Sequence, residues 1–115
     1  MTRLTIRLHF DDVRRLGPDK TALLGQIEST GSITRAAKAM GMSYRRAWLL
    51  LEATNLMFQI PVAKTAHGGV QGGGARLTPF ERHVIDHFWA VETALRDVAE
   101  AHIAFFEAHF ESTAT

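Results

Sequence analysis

Between Thr30 and Asn55 the chain reads TGSITRAAKAMGMSYRRAWLLLEATN, and few folds accept that order of caps, glycine and apolar residues. Ser32 stands where its hydroxyl can accept from the unpartnered backbone N–H groups of a helix running from Ile33 to Met40. Gly41 supplies the permissive backbone that ends such a helix. Ser43 then opens a second helix at Tyr44-Arg45-Arg46-Ala47-Trp48, so two arginines fall in its first turn. Two short helices across a glycine turn make a helix-turn-helix, and in the DNA-binding versions this opening turn is offered to base edges in the major groove.

The rest of the chain is expected to support that pair. With 115 residues, 46% of them apolar, it is one domain with a real core. There is no cysteine, which excludes disulfides and thiolate metal sites. No apolar run reaches the ~20 residues of a membrane span, and MTRLTIRLHFDD has no signal-peptide core. A cytoplasmic location is the expectation. The net charge of +1 hides a division. From Gly31 to Arg82, seven basic residues (Arg35, Lys38, Arg45, Arg46, Lys64, Arg76, Arg82) face two acids (Glu52, Glu81), a balance of +5. From His83 onward, Arg96 stands against Asp86, Glu92, Asp97, Glu100, Glu107 and Glu111, a balance of −5. A basic middle suits a polyanion and an acidic tail must face elsewhere; charge alone would equally fit two solvated faces of opposite sign.

Leu4, Ile6, Leu8 and Phe10 alternate with polar residues, a strand pattern whose expected partner is the other strand material near residues 62–77. Gly17-Pro18-Asp19 opens a helix carrying Leu23, Leu24 and Ile27 and ending near Thr30. Ile33, Ala36, Ala37 and Met40 form the inner face of the next, and Ala47, Trp48, Leu50 and Leu51 that of the one after. The small alanines allow close crossing. Val62 to Thr65 and Ala75 to Leu77 flank a glycine-rich tip, Gly68-Gly69-Val70-Gln71-Gly72-Gly73-Gly74. A hairpin placed directly after a recognition helix is a wing, and Lys64, His67 and Arg76 are its expected contacts to phosphate or minor groove. The glycines do not fit the phosphate-cradling G-x-x-x-x-G-K-[ST] pattern, since no Lys-Ser or Lys-Thr follows Gly73 or Gly74, nor do they fit G-x-G-x-x-G.

Thr78 as cap and Pro79 at the first helical position start a last helix that nothing interrupts before Phe110. Val84, Phe88, Val91, Leu95, Val98, His102 and Phe105 follow at alternating spacings of four and three, a heptad seam. Some 30 residues, near 45 Å, exceed what so small a body covers, so a second copy is the expected partner, with an intramolecular packing as the alternative. The expected architecture is mostly α with a small β-sheet: a winged helix-turn-helix over residues 1–78 and a dimerisation helix over 79–115, forming one continuous unit. His102 in the seam would set like charges facing each other across the dimer if protonated.

Arg45 and Arg46 are the candidates for base readout, Arg being matched to the O6/N7 edge of guanine. Tyr44 suits a thymine methyl, a phosphate or simple packing. Ser32, Thr34 and Ser43 can donate to phosphates, and Arg35 belongs to the same DNA-binding set. Enzyme chemistry finds little to stand on. His83 and His87, one helical turn apart beside Asp86, are a weak metal motif without a third ligand. No catalytic residue, metal site or cofactor is assigned. A winged helix that binds only protein is the other reading.

Several strings together resemble the N-terminal DNA-binding domain of the molybdate-responsive ModE family. They are Ala22-Leu23-Leu24, Gly31-Ser32-Ile33 with Ala36-Ala37-Lys38, Gly41-Met42-Ser43-Tyr44 with Ala47-Trp48, Asn55, and the doubled glycines running into Ala75 and Leu77-Thr78. The helix-turn-helix portion alone would also fit LysR-type regulators. The resemblance implies a homodimer, paired through its terminal helices, that binds palindromic sites in double-stranded DNA near molybdenum-related genes. Family members with the full architecture continue into oxyanion-binding domains at about the point where this sequence stops, at Thr115. No molybdate ligand is therefore assigned, and the expectation divides between a stand-alone regulator signalled by a separate molybdate-sensing protein and a fragment of a longer chain.

Overall fold

The computed structural model describes residues 2–65 and 75–111. Its elements are β1 (Leu8–His9), β2 (Arg15–Leu16), α1 (Pro18–Thr30), α2 (Ile33–Ala39), α3 (Tyr44–Met57), β3 (Ala63–Thr65), β4 (Ala75–Leu77) and α4 (Pro79–His109). This is the expected winged helix-turn-helix with a long terminal helix. Helices α1, α2 and α3 pack on one another, and only the start of α4 joins them, against α1.

Local chemistry sets the boundaries in the centre. Ser32 Oγ accepts from Arg35 N at 3.2 Å and Ser43 Oγ from Arg46 N at 3.1 Å, so both serines cap as expected. Gly41 adopts φ +68°, a region costly to residues with a Cβ. Around it Gly41 N donates to Lys38 O and Met42 N to Ala37 O, the paired bonds of a Schellman ending that satisfy the last carbonyls of α2. Ile33, Ala36 and Ala37 are almost fully buried, as are Ala47 and Leu51 opposite them. Leu23, Leu24 and Ile27 of α1 close the same core from behind.

The N-terminal strand pairs elsewhere than expected. β1 pairs antiparallel with β2, Leu8 opposite Leu16, and the strands near residues 62–77 pair only with each other. The cause is a turn built by Asp11. Its Oδ1 accepts from Val13 N (2.9 Å) and Arg14 N (2.6 Å), its Oδ2 holds Arg14 Nε (2.7 Å), and Phe10 N donates to Arg14 O. A contact made within three residues needs almost no loop closure, so it outcompetes pairing with strands more than fifty positions away. Before the turn, residues 2–7 form no strand and extend toward the far end of α4, where Thr2 lies beside Phe106 and Phe110.

Thr78 occupies the cap position of α4, but its hydroxyl does not cap. It donates to Pro61 O at 2.6 Å, while Thr78 N donates to Val62 O at 2.9 Å. Thr78-Pro79-Phe80-Glu81 has the spacing of a reciprocal capping box, yet both groups of Thr78 hold the strand junction instead. Glu81 is left buried with Oε2 unpartnered. Burial pushes its carboxyl above the ordinary value of 4.5, and the charge of Asp86 adds to the shift.

Helix α4 buries Glu81, Val84, Ile85 and Phe88 in its first ten residues and nothing after them. Its 31 residues span about 46 Å, against a longest dimension of 55 Å for the whole chain. The radius of gyration, 17.0 Å, exceeds the roughly 13 Å of a compact chain of this length because that helix projects. Among the described residues no helix is long and apolar enough to cross a membrane.

Candidate nucleic-acid interface

Capping makes the opening turn of α3 a presentation device. Because Ser43 binds the Arg46 amide from outside the helix, Tyr44, Arg45 and Arg46 begin at the body's edge, and all three are exposed. The buried side of α3 lies at Ala47, Leu51 and Thr54, with Trp48 and Leu50 half-buried. Thr34 and Arg35 are likewise exposed in the first turn of α2, and Ser32 is half-buried. Each capping serine hydroxyl accepts from an amide, which leaves its own proton free to donate outward.

Lys64 and Arg76 are directly opposite in the β3–β4 ladder, so their side chains leave the same face of the hairpin, and both are exposed. Like charges in that position oppose pairing. His67 and the glycines of the tip lie outside the described residues. Among the described residues, Arg35, Lys38, Arg45, Arg46, Lys64 and Arg76 form no ion pair, whereas Arg14 is held by Asp11, and Arg82 by Glu28 and Asp86. Glu52 is the only carboxylate on α2, α3, β3 or β4. The helix-turn-helix and wing therefore carry positive charge that the described residues leave uncompensated.

The residue that ties the wing to α3 has no role in the expectations drawn from composition and spacing. Asn55 Oδ1 accepts from Val62 N (2.8 Å) and Ala63 N (3.0 Å), and its Nδ2 donates to Ala63 O (3.0 Å). Thr78 grips Pro61 and Val62 from the other side. Every polar group of one amide side chain thus fixes the start of β3 on the last turns of the helix whose first turn carries the arginines. An asparagine late in an amphipathic helix, six residues before a proline, was the available signal.

The expected seam of α4 divides in two. Val84 and Phe88 are buried in the chain's own core, while Val91, Leu95, Val98, His102 and Phe105 are exposed. His83 and His87 are exposed and line an apolar groove of about 260 Å³ with Leu8, Phe10, Phe58 and Phe88. Phe58 stacks edge-to-face on Phe10 and on Phe80 to form its wall. No cluster of three or more metal-ligating side chains occurs among the described residues.

No protein-family model matches the chain. Individual proteins do. The molybdenum-pterin-binding protein MopB of Rhodobacter capsulatus is 42% identical over 81 residues, which are 70% of this chain and 30% of that protein. The molybdenum transport protein ModE of Herbaspirillum seropedicae is 48% identical over 67 residues, 58% of this chain and 25% of its own length. The DNA-binding transcriptional dual regulator ModE of Escherichia coli K12 is 36% identical over 85 residues, 71% and 30% of the two chains. The chain spans only about a quarter to a third of the length of these relatives. Over that shared N-terminal segment the chain belongs to the ModE family.

Proposed function

We propose that the chain is a sequence-specific DNA-binding module of a molybdenum-linked transcriptional regulator, acting as a homodimer on palindromic sites and not as an enzyme. The observation that carries this reading is the pair Arg45 and Arg46, exposed and without an ion pair among the described residues, in the first turn of a helix whose last turns are clamped to a basic hairpin. In this reading Arg45 and Arg46 read base edges and Tyr44 contacts a thymine methyl or phosphate. Ser32, Thr34, Arg35, Ser43, Lys64, His67 and Arg76 engage the backbone. Palindromy follows from two-fold symmetry, which repeats the recognition helix at about one turn of DNA, ~34 Å, or a multiple of it.

Selection of bound sequences from random double-stranded DNA, with and without molybdate, tests the reading. A symmetric consensus is the expected result. Binding that is insensitive to sequence, or absent at low salt, would sink it and leave a protein-binding winged helix. Dependence of the consensus or affinity on added molybdate would point to an effector acting on this chain; independence would assign sensing to another domain or a separate protein.

A further inference from the structure

We propose that Thr78 and Glu81 form a latch on the wing: ionisation of Glu81 draws the Thr78 amide off Val62 into a helix capping box and so loosens the strand junction. Protonation reverses the exchange and tightens the wing on the body.

The Thr78 amide has one proton and two competing acceptors. In the structure Val62 O takes it, at 2.9 Å, while the Thr78 hydroxyl donates to Pro61 O at 2.6 Å. Glu81 stands three residues on, at the position from which a capping-box carboxylate reaches back to the cap amide. The backbone is already set for that bond. Thr78 lies at φ −91° and ψ 162°, the extended conformation of a cap residue, and its carbonyl accepts from Glu81 N at 3.0 Å. The exchange needs the Glu81 side chain to swing outward and residues 61–62 to draw away; the helix itself stays as it is.

Charge makes the exchange a switch. Glu81 is 2% exposed and its Oε2 has no partner among the described residues. An acid tolerates that position, but a carboxylate does not. Arg82 is held by Glu28 of α1 and by Asp86, while His83 of α4 and Lys64 and Arg76 of the wing strands are exposed. Of the described charges only that of Asp86 acts on Glu81, and it repels. The interior therefore offers the ionised form nothing, whereas the first turn of α4 offers it the Thr78 amide and the positive end of the helix. The acid stays inside and leaves Thr78 to the wing. The carboxylate comes out and takes Thr78 N, and Asn55 then holds the start of β3 alone.

Nuclear magnetic resonance on the full chain at fixed salt, from about pH 4 to 9, tests the latch. Titration of the Glu81 carboxyl carbon is expected to be matched, at the same midpoint, by a shift of the Thr78 amide proton. Over that interval amide protection at Val62 and Ala63, corrected for intrinsic exchange, is expected to fall roughly fivefold or more, the effect of losing one or two hydrogen bonds, with a smaller change at Leu23 and Leu24 in the core. Glu81→Gln keeps the shape and cannot ionise, so the pH dependence at Thr78, Val62 and Ala63 is expected to vanish. A carboxyl that titrates without moving the Thr78 amide, one that stays protonated throughout, or a Thr78 shift that persists in Glu81→Gln would overturn the latch. Unchanged protection at Val62 and Ala63 despite the Thr78 shift would overturn the loosening of the wing. Every readout is taken on the free protein, so failure here leaves the DNA-binding reading standing, and failure of that reading leaves the latch.

Discussion

Asn55 joins two elements through a single polar side chain. Three hydrogen bonds leave from one amide, two of them to backbone N–H groups that have no other described partner. Replacing it by Ala strands those groups, a loss of about 1–3 kcal/mol, and frees the wing from α3. The expected outcome is a lower urea midpoint with faster amide exchange at Val62 and Ala63. Asn55→Asp keeps the acceptor but lacks the donor to Ala63 O, so an intermediate loss is expected. Glu81 gives a pH dependence of opposite sense to most carboxylates. Its folded-state value lies above the unfolded one, so the native state binds the proton more tightly. That contribution to stability is complete below about pH 4.5 and is lost as the pH rises through the folded value. Glu81→Gln is therefore expected to flatten that slope and to stabilise the chain at pH 7 by about 1 kcal/mol, checked by thermal unfolding across pH 4–8. Asp11 behaves conventionally. Amides of Arg14 and Val13, then the Arg14 side chain, hold it down to about 2, so its turn is lost only as the pH falls toward that value.

Among the helices, those bounded by chemistry within four residues were the most legible. Ser32, Gly41 and Ser43 announce α2 and α3 because caps and left-handed turns are made locally, and their bonds occur where expected. Ser43→Ala is expected to cost about 1 kcal/mol and to fray the turn bearing Arg45 and Arg46, visible as lost helical content and weakened DNA selection. The β1–β2 hairpin was not legible, since strands of two residues carry too little alternation to identify, although Asp11-Asp12 marks the turn. Thr78 misled for a different reason. Its position predicts a cap, but a tertiary acceptor at Pro61 claims its hydroxyl, and no local pattern encodes that. The proposed DNA face divides by element as well. Arg45→Ala and Arg46→Ala are expected to relax sequence discrimination, costing about 1–3 kcal/mol per lost base contact. Lys64→Ala and Arg76→Ala are expected to weaken all sequences alike and to lower the salt slope by about one each.

The whole chain is a compact head with a long, one-sided handle. The handle was foreseen from its seam; the split of that seam was not, because which apolar residues the head consumes depends on where α4 crosses α1. With Val84 and Phe88 used inside, the aromatic end of α4 is the exposed apolar surface that a second copy would cover on the homodimer reading. An obligate pairing makes the melting temperature rise with protein concentration, and a tenfold dilution series followed by circular dichroism checks it.

The opposition of Lys64 and Arg76 across the wing ladder makes that hairpin a gauge of ionic strength. Added salt screens their repulsion and should tighten the free wing, while on the DNA-binding reading the same salt would weaken its hold on a polyanion by reducing the gain from counterion release. The unbound wing would be least ordered under the conditions in which DNA is bound most strongly, so nucleic acid itself would act as the missing counter-charge that completes the hairpin. Amide protection at Lys64 and Arg76 that rises with salt in the free protein, and rises further on adding DNA at low salt, would show it.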